Sequence, residues 1–220
     1  RVAQFYPGSW PTSSSEFTWD HSQLRAFLDG GADSWLYPLW VTTIATGCRL
    51  GELLGLKWAD VDLAASRIVV RGNLQRIGRE WIASAPKTKA GERAITLPPE
   101  GVAVLHQQKA RQAAWRLRTG AGWQDTGLVF TGLRGQPLQP STVERALERE
   151  CTRLGVPKLT PHGLRHLHAS LLLDAGLPVP LVSARLGHAR PSITMAIYAH
   201  KVGRDDRQAA AALAKVFTRQ

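Results

Sequence analysis

Three short strand-like runs, flanked on both sides by stretches with helical periodicity, constrain the fold of this chain more than any other feature of its sequence. The runs cover residues 67–71, 80–83 and 93–97 and are separated by turn-forming residues. Apolar residues at helical spacing predict helices elsewhere, at about 24–30, 35–46, 49–56, 99–118, 140–154, 161–175, 179–186, 191–199 and 204–217. We therefore expect a mainly α fold with a small three-stranded antiparallel β-sheet formed by the three runs.

The composition favours one globular domain over a membrane or secreted protein. The chain has 220 residues, of which 44% are hydrophobic, enough for one large core. Every apolar run ends well short of the ~20 residues that a membrane-spanning helix needs, and the N-terminus turns polar at once, unlike a signal peptide. Cys48 and Cys151 fit neither a disulfide framework nor a metal site, so we expect a reducing, cytoplasmic setting.

The ends of the chain predict a simple domain organisation. Residues 1–17 are rich in Pro, Gly and Ser and are expected to be a linker or domain edge. We expect residues 18–202 to form one domain and residues 203–220 a C-terminal helix. Because the chain begins with Arg1 rather than Met, we expect it to be part of a longer protein.

The charge of the chain is strongly and unevenly basic. Its 28 Lys and Arg residues outnumber 17 Asp and Glu residues, which gives a formal net charge of +11. Residues 1–65 hold 4 basic and 7 acidic side chains, so the surplus lies in residues 66–220. This asymmetry favours a face that binds a polyanion. No basic amphipathic helix or lipidation signal points to a membrane surface instead.

Several side chains have the chemistry needed for phosphoryl transfer without a metal. Arginines can donate paired hydrogen bonds to the non-bridging oxygens of a phosphate. A tyrosine hydroxyl is easier to activate as a nucleophile than a serine, a lysine can protonate a leaving alkoxide, and histidines can transfer protons. The candidates are Arg49, Lys87, His162, Arg165, His188 and Tyr198.

Each candidate taken alone has a simpler interpretation. A tyrosine near a helix end usually packs against its neighbours. Arg49 and Glu52, one helical turn apart, would form an ordinary ion pair. His162 and His166 have the spacing of a metal-binding pair, but no Glu follows His162 and no third ligand accompanies them. We expect no zinc site here, and we interpret His166 as structural.

The order and local sequence of the candidates resemble the tyrosine recombinase (phage integrase) family. Residues 46–53, Thr-Gly-Cys-Arg-Leu-Gly-Glu-Leu, are similar to the first conserved box of that family, and residues 86–98 are similar to the β-hairpin segment that carries its lysine. Residues 161–166, Pro-His-Gly-Leu-Arg-His, together with residues 186–198, from Leu-Gly-His to the tyrosine, are similar to its second box. The resemblance extends over residues 18–202, and six matched roles in order make it specific.

The resemblance implies a nucleophile and two proton carriers. Tyr198 would attack a DNA phosphate to form a 3′-phosphotyrosine and expel a free 5′-hydroxyl. His162 would assist proton transfer at the nucleophile, and Lys87 would protonate the leaving oxygen. Lys89, two residues further along the same turn, is the alternative acid. We prefer Lys87 because it follows the strand directly, as in the family segment.

The resemblance also implies how the phosphate is bound. Arg49, Arg165 and His188 would hold its non-bridging oxygens, and Glu52 would support Arg49 rather than contact DNA. The phosphotyrosine keeps the energy of the broken bond, so no cofactor, neither ATP nor a metal, is implied.

The function implied is that of a site-specific DNA recombinase or integrase. Its partners would be double-stranded DNA and further copies of itself, as a homo-oligomer (tetramer) on DNA, in the cytoplasm at the nucleoid. The C-terminal helix expected at residues 203–220 would dock on a neighbouring protomer, or else pack on its own domain. Family members usually carry an additional N-terminal helical domain, which residues 1–17 are too short to form. The hairpin motif around Lys87 favours integrases of mobile elements over chromosome resolution.

Two other functions are compatible with the same residues. A type IB topoisomerase would use nearly the same side chains to relax supercoils without exchanging partners. A non-catalytic DNA-binding relative would keep the fold without turnover, but the complete set of candidate residues argues against it.

Overall fold

The computed structural model describes residues 18–85 and 92–188, in which seven α-helices and five β-strands follow one another. Each helix overlaps a segment predicted to be helical, which confirms the expected mainly α fold with small antiparallel sheets. The helices are α1 (His21–Gly30), α2 (Tyr37–Thr46), α3 (Leu50–Leu54), α4 (Pro99–Thr119), α5 (Pro140–Leu154), α6 (Pro161–Asp174) and α7 (Val179–Leu186). The strands are β1 (Val61–Asp62), β2 (Arg67–Val70), β3 (Asn73–Ile77), β4 (Glu80–Ser84) and β5 (Arg93–Thr96).

The strands form two separate antiparallel sheets, which corrects one prediction. Strand β2 pairs with both β1 and β5 in a three-stranded sheet, whereas β4 pairs with β3 in a two-stranded hairpin. The hairpin turns at Gly78, whose φ is +61°, and a tight turn of this kind returns a strand onto its immediate neighbour. The prediction that residues 67–71, 80–83 and 93–97 share one sheet is therefore wrong for the middle run.

Helix α2 lies at the centre of the fold and packs against both α4 and α6. Its side chains Leu39 and Trp40 are fully buried, as expected for a helix that is apolar on most of its faces. Its buried hydroxyl groups donate hydrogen bonds to carbonyls of the same helix, Thr42 to Pro38 and Thr46 to Thr42, both at 2.6 Å. These threonine hydroxyls of α2 are thus paired within the core, and the helix fixes the segment that follows it.

Several predictions fall outside the described residues. They are the linker at 1–17, the turn at 86–91 with Lys87 and Lys89, and everything after His188, which includes Tyr198 and the expected C-terminal helix at 203–220. Within the described part of the chain, Cys48 and Cys151 are both free and buried. No helix in residues 18–85 or 92–188 has the length and apolar character needed to cross a membrane.

Candidate active site

The junction between α2 and α3 positions Arg49. Helix α2 ends at Gly47, which has a φ of +66°, and a Cβ atom there would lie 2.5 Å from Cδ2 of His168. Glycine therefore meets both the backbone and the packing requirement. Arg49 follows as the N-cap residue of α3, and its side chain is 47% exposed. Its guanidinium is accessible from outside the protein.

Glu52 orients Arg49 through both its main chain and its side chain. Oε2 of Glu52 accepts a hydrogen bond from the Arg49 backbone N–H at 2.8 Å, and Oε1 accepts one from Nη1 at 3.0 Å. Burial acts to raise the pKa of Glu52, but hydrogen bonds and charge from Arg93 and Arg49 outweigh it and lower the pKa below its ordinary value. Glu52 is therefore a charged carboxylate at neutral pH, placed where the sequence predicts a supporting residue.

Arg165 connects α6 to the ends of α2 and α7. Helix α6 begins after Thr160, whose hydroxyl accepts a hydrogen bond from the Gly163 N–H at 3.0 Å. One turn later, Arg165 is buried, and its guanidinium donates to the carbonyls of Gly47 at 2.5 Å and Leu186 at 2.8 Å. Burial, and next the charge of Arg49, lower the pKa of Arg165 to about 10, so it remains a cation at neutral pH.

Two histidines of α6 lie beside this arginine. The rings of His162 and His166 meet edge to face with their centroids 4.4 Å apart. Burial lowers the pKa of His162, and the charges of Arg165 and Arg49 lower it further. Burial and the neighbouring His162 lower the pKa of His166 to about 4. Both rings are neutral at neutral pH, and a neutral His162 can accept a proton.

His188 completes the described part of the site. Helix α7 ends at Gly187, with a φ of +68°, and the backbone N–H of His188 donates to Ser183 at 3.1 Å. Burial first, then Arg165 and Arg49, lower the pKa of His188 to about 4. The same two arginines therefore act on His188 and on His162. Arg165 also donates to the carbonyls of Gly47 and Leu186, two residues before Arg49 and His188, and His162 lies one turn before it on α6. These hydrogen bonds bring together the segments that carry the four side chains.

Arg93, at the start of β5, contacts this site although the motifs do not indicate it. Its Nη1 and Nη2 donate to the two carboxylate oxygens of Glu52 at 3.2 and 2.9 Å, and its Nε donates to the carbonyl of Arg185 at 2.8 Å. The sequence signal is a basic residue that opens a strand near the hairpin lysine. Nothing in the sequence indicates which carboxylate it contacts.

His168 and Arg185 also contact the site's framework and are not indicated by the motifs. Nδ1 of His168 lies 2.7 Å from the carbonyl of Ile44, and Arg185 donates to the carbonyl of Ala45 at 2.9 Å and to Nε2 of His168 at 3.3 Å. Because Nε2 accepts a hydrogen bond, the ring proton resides on Nδ1. These contacts hold the last carbonyls of α2 just before Gly47.

The arrangement is suited to binding an oxyanion. Arg49 and Arg165 supply two cations, and His162 and His188 supply neutral imidazoles within the same site. Such donors can stabilise the charge that develops on a phosphate during substitution. Among residues 18–85 and 92–188, no cluster of three or more His, Cys, Asp or Glu side chains could hold a metal ion. Lys87, Lys89 and Tyr198 lie outside the described residues, so their roles stay predictions.

The fold and the site together define a mainly helical domain with two small antiparallel sheets and a group of arginine and histidine side chains whose chemistry suits an anion. The model of the phage integrase family matches residues 21–204, and the chain belongs to this family. The family resemblance inferred from the sequence motifs is therefore confirmed.

Curated relatives agree with this assignment. The chain is 31% identical to a protein named tyrosine recombinase XerC-like from Caldanaerobacter subterraneus subsp. tengcongensis, over 83% of this chain and 50% of the relative. It is 30% identical to an integrase of Streptomyces ambofaciens, over 91% of this chain and 52% of the relative. The chain spans about half the length of the curated relatives it matches.

Solved structures share the fold. The Tn1549 transposon integrase in complex with circular intermediate DNA superimposes with a TM-score of 0.75 at 23% identity, covering 91% of this chain and 68% of that one. The XerA recombinase superimposes with a TM-score of 0.66 at 26% identity, covering 96% of this chain and 66% of that one.

Proposed function

We propose that this chain is the catalytic part of a site-specific DNA recombinase that cleaves and rejoins DNA through a 3′-phosphotyrosine. The observation that carries the proposal is that the hydrogen bonds of Arg165 join the segments that carry Arg49, His162 and His188. The basic surplus of the chain suits a polyanionic substrate. Family membership supports the proposal, as do the relatives named recombinases and integrases.

In the proposed reaction, the phenol oxygen of Tyr198 attacks the phosphorus while the bond to the 5′ oxygen breaks. His162 takes up the phenol proton, and Lys87 gives a proton to the leaving oxygen. Arg49 and Arg165 donate to the non-bridging oxygens, whose charge grows in the transition state. Rejoining reverses these steps with a 5′-hydroxyl from another strand as the attacking group.

His188 and Glu52 have distinct parts in this proposal. The neutral imidazole of His188 donates one N–H to a non-bridging oxygen. Glu52 keeps Arg49 oriented without contacting DNA. Since the guanidinium groups provide the charge stabilisation, we expect cleavage to need neither a metal ion nor ATP.

We propose that the substrate is double-stranded DNA and that a homo-oligomer, a tetramer, acts on two DNA sites, in the cytoplasm at the nucleoid. The relative from Streptomyces ambofaciens, 30% identical over 91% of this chain, is named an integrase, and this likeness supports a mobile-element role over chromosome resolution. The competing activity, supercoil relaxation of the topoisomerase IB type, would act on one duplex and yield no recombinant products.

The covalent intermediate provides the test. Random-sequence DNA duplexes are incubated with the protein, and complexes that survive SDS are isolated and sequenced. We expect wild-type protein to yield adducts at a defined sequence, and Tyr198→Phe to bind the selected DNA within about threefold of wild type without forming an adduct. Tyr37→Phe is the matched control, because Tyr37 lies on α2 and donates to the carbonyl of Leu28, and it should keep adduct formation. An SDS-resistant complex with Tyr198→Phe would show that another residue is the nucleophile.

A further inference from the structure

We propose that Arg93 is a positioning residue of the cleavage reaction: it anchors Glu52 to the end of α7 and, through Glu52, sets the position of Arg49. This inference rests on the proposed function and adds to it a residue that does not touch the DNA. It is drawn from the hydrogen bonds around Glu52 and from the close packing of α7 on the Arg93 guanidinium.

Glu52 joins the two arginines. Oε1 accepts from Nη1 of Arg49 at 3.0 Å and from Nη1 of Arg93 at 3.2 Å, while Oε2 accepts from the Arg49 backbone at 2.8 Å and from Nη2 of Arg93 at 2.9 Å. Each carboxylate oxygen therefore serves both arginines. A rotation of the Glu52 side chain would disturb the main chain and the guanidinium of Arg49 together.

Arg93 restricts the position of the Glu52 carboxylate from outside helix α3. Its side chain is 8% exposed, against 47% for Arg49. The carbonyl of Arg185 accepts from its Nε at 2.8 Å, so the planar group contacts α3 on one side and α7 on the other. A buried and doubly anchored guanidinium restricts the carboxylate more than an exposed one can.

The end of α7 is shaped to admit this guanidinium. A Cβ atom on Gly187 would lie 2.7 Å from Nη1 of Arg93 and 3.0 Å from its Cζ. The glycine therefore lets the backbone that leads to His188 approach the planar group closely. Arg93 thus connects the first box, through Glu52, with the segment that carries His188.

Replacing Arg93 with lysine would keep the positive charge but lose the planar group that makes the three hydrogen bonds. An ammonium can neutralise Glu52, so no carboxylate is left buried without a cation. It cannot hold both oxygens of Glu52 and the carbonyl of Arg185 in one plane. Arg93→Lys is therefore expected to fold and bind DNA while Arg49 loses its fixed position.

The test is a double-mutant cycle between Arg93→Lys and Arg49→Ala. Covalent cleavage is measured in a single turnover, on nicked duplexes built from the sequence that the wild-type protein selects. We expect Arg93→Lys to slow cleavage about tenfold to a hundredfold in the wild-type background, because small displacements of a catalytic group have effects of that size. In the Arg49→Ala background, where that group is gone, we expect a further slowing of less than about threefold. A merely structural role would slow both backgrounds by the same factor.

Arg71→Lys is the matched control. Arg71 also belongs to the strand region and pairs with two carboxylates, those of Asp60 at 2.8 Å and Glu92 at 2.7 Å, but its side chain is 59% exposed. We expect this variant to cleave at the wild-type rate and to bind DNA equally well.

Each remaining outcome decides against the proposal. Equal slowing in both backgrounds, or wild-type cleavage by Arg93→Lys, would overturn it. If Arg93→Lys fails to unfold cooperatively on heating, the cycle is repeated with Arg93→Gln, and loss of cooperative unfolding in both variants would make Arg93 a folding residue instead. Failure of the proposed function gives a different result, since wild type and Arg71→Lys would then form no adduct.

Discussion

Arg49 and Arg165 bring the same chemical group to the site but are held in opposite ways. The side chain of Arg49 is about half exposed and shares Glu52 with Arg93. Arg165 is buried, and its guanidinium is hydrogen-bonded to the carbonyls of Gly47 and Leu186. An exposed ion pair adds little to stability, whereas buried carbonyls that lose their donor are costly. We therefore expect both arginines to contribute to cleavage, but only Arg165 to contribute strongly to the stability of the fold.

Alanine substitutions test this expectation. We expect Arg49→Ala and Arg165→Ala each to slow covalent cleavage by roughly 10² or more, as does loss of one oxyanion donor in other enzymes. Arg49→Ala should change the free energy of unfolding by less than about 1 kcal/mol. Arg165→Ala should lower it by about 2–4 kcal/mol, because two buried carbonyls lose their partner. Urea denaturation measures both changes, and equal stability losses would show that the hydrogen bonds from Arg165 to the two carbonyls do not stabilise the fold.

His168 makes the stability of the protein depend on pH. Burial lowers its pKa to about 4 in the folded state, against about 6.5 in an unfolded chain. The unfolded state therefore binds more protons between these values, and the stabilisation present above pH ~6.5 is lost as the pH falls towards ~4. For this group alone, the free energy of unfolding should fall by about 2 kcal/mol between pH ~7.5 and pH ~5.

Urea denaturation of His168→Asn at these two pH values isolates that contribution. An amide does not titrate in this range and can still donate to the carbonyl of Ile44. The variant should lose about 2 kcal/mol less than wild type on acidification, while a control at the exposed His106, His106→Asn, should behave like wild type. An unchanged pH dependence in His168→Asn would show that His168 is not the group responsible.

At the scale of elements, sequence patterns predict the helices well and the strand pairing less well. The helices carry apolar periodicity and clear end signals, such as Gly47 after α2 and Thr160 before α6. Strand β3 escapes prediction because Leu74 is its one buried residue, so it lacks the alternation of a half-buried strand. Because the sequence pattern does not predict β3, it also does not predict that residues 80–83 pair with β3 rather than with β2 or β5.

Two separate features require glycine at the end of α2: the left-handed backbone conformation and the close packing of neighbouring side chains. Gly47 and Gly155 both end helices with nearly the same φ, +66° and +67°. A Cβ at Gly155 would meet nothing within 4 Å, whereas one at Gly47 would lie 2.5 Å from Cδ2 of His168 and 2.8 Å from Cδ2 of Leu186. A substitution at Gly155 therefore tests the backbone conformation alone.

We expect Gly155→Ala to lower the free energy of unfolding by about 1 kcal/mol, the cost of a left-handed alanine. Gly47→Ala should lower it by about 2–4 kcal/mol, because overpacking adds to that strain. Gly47→Ala should also slow cleavage, since Gly47 leads directly to Arg49, and Gly155→Ala should not. Equal losses of stability in chemical denaturation would mean that the packing around Gly47 relaxes freely.

At the scale of the whole molecule, the candidate site is assembled from segments that are far apart in sequence. The motifs predict Arg49, Glu52, His162, Arg165 and His188, because each sits in a short run with its own chemical signature. They do not predict Arg93, His168 or Arg185, whose importance comes from pairwise contacts across the fold, such as Arg93 with Glu52. Order along the chain carries no information about such contacts.

We propose that the segment after the proposed nucleophile docks on a neighbouring protomer, the alternative being that it packs on its own domain. Residues 203–217 combine alanines with Leu213, Val216 and Phe217, a pattern typical of a helix with one apolar stripe. Among the residues that the structure describes, the main hydrophobic core extends from Trp19 to Leu167. If the helix docks on a neighbouring protomer, deletion of everything after Lys201 should leave a folded monomer that binds DNA and forms no recombinant product.

Thermal unfolding, gel-shift and strand-exchange assays on the truncated protein measure these three properties. Full-length protein with Arg71→Lys serves as the folded control. Normal recombination by the truncated protein, or its failure to fold, would contradict docking between protomers and favour packing of this helix on its own domain.

The lowered pKa of Arg165 has a consequence for the free protein. Burial and the like charge of Arg49 together outweigh the attraction of Glu52, so the site brings together cations that repel one another. A site prearranged in this way for a transition state weakens the resting fold. A phosphate group relieves the repulsion, and ligands that bind only the folded state stabilise it. Under the proposed function, the protein without DNA is the strained partner, and the DNA backbone is the counterion that stabilises its fold.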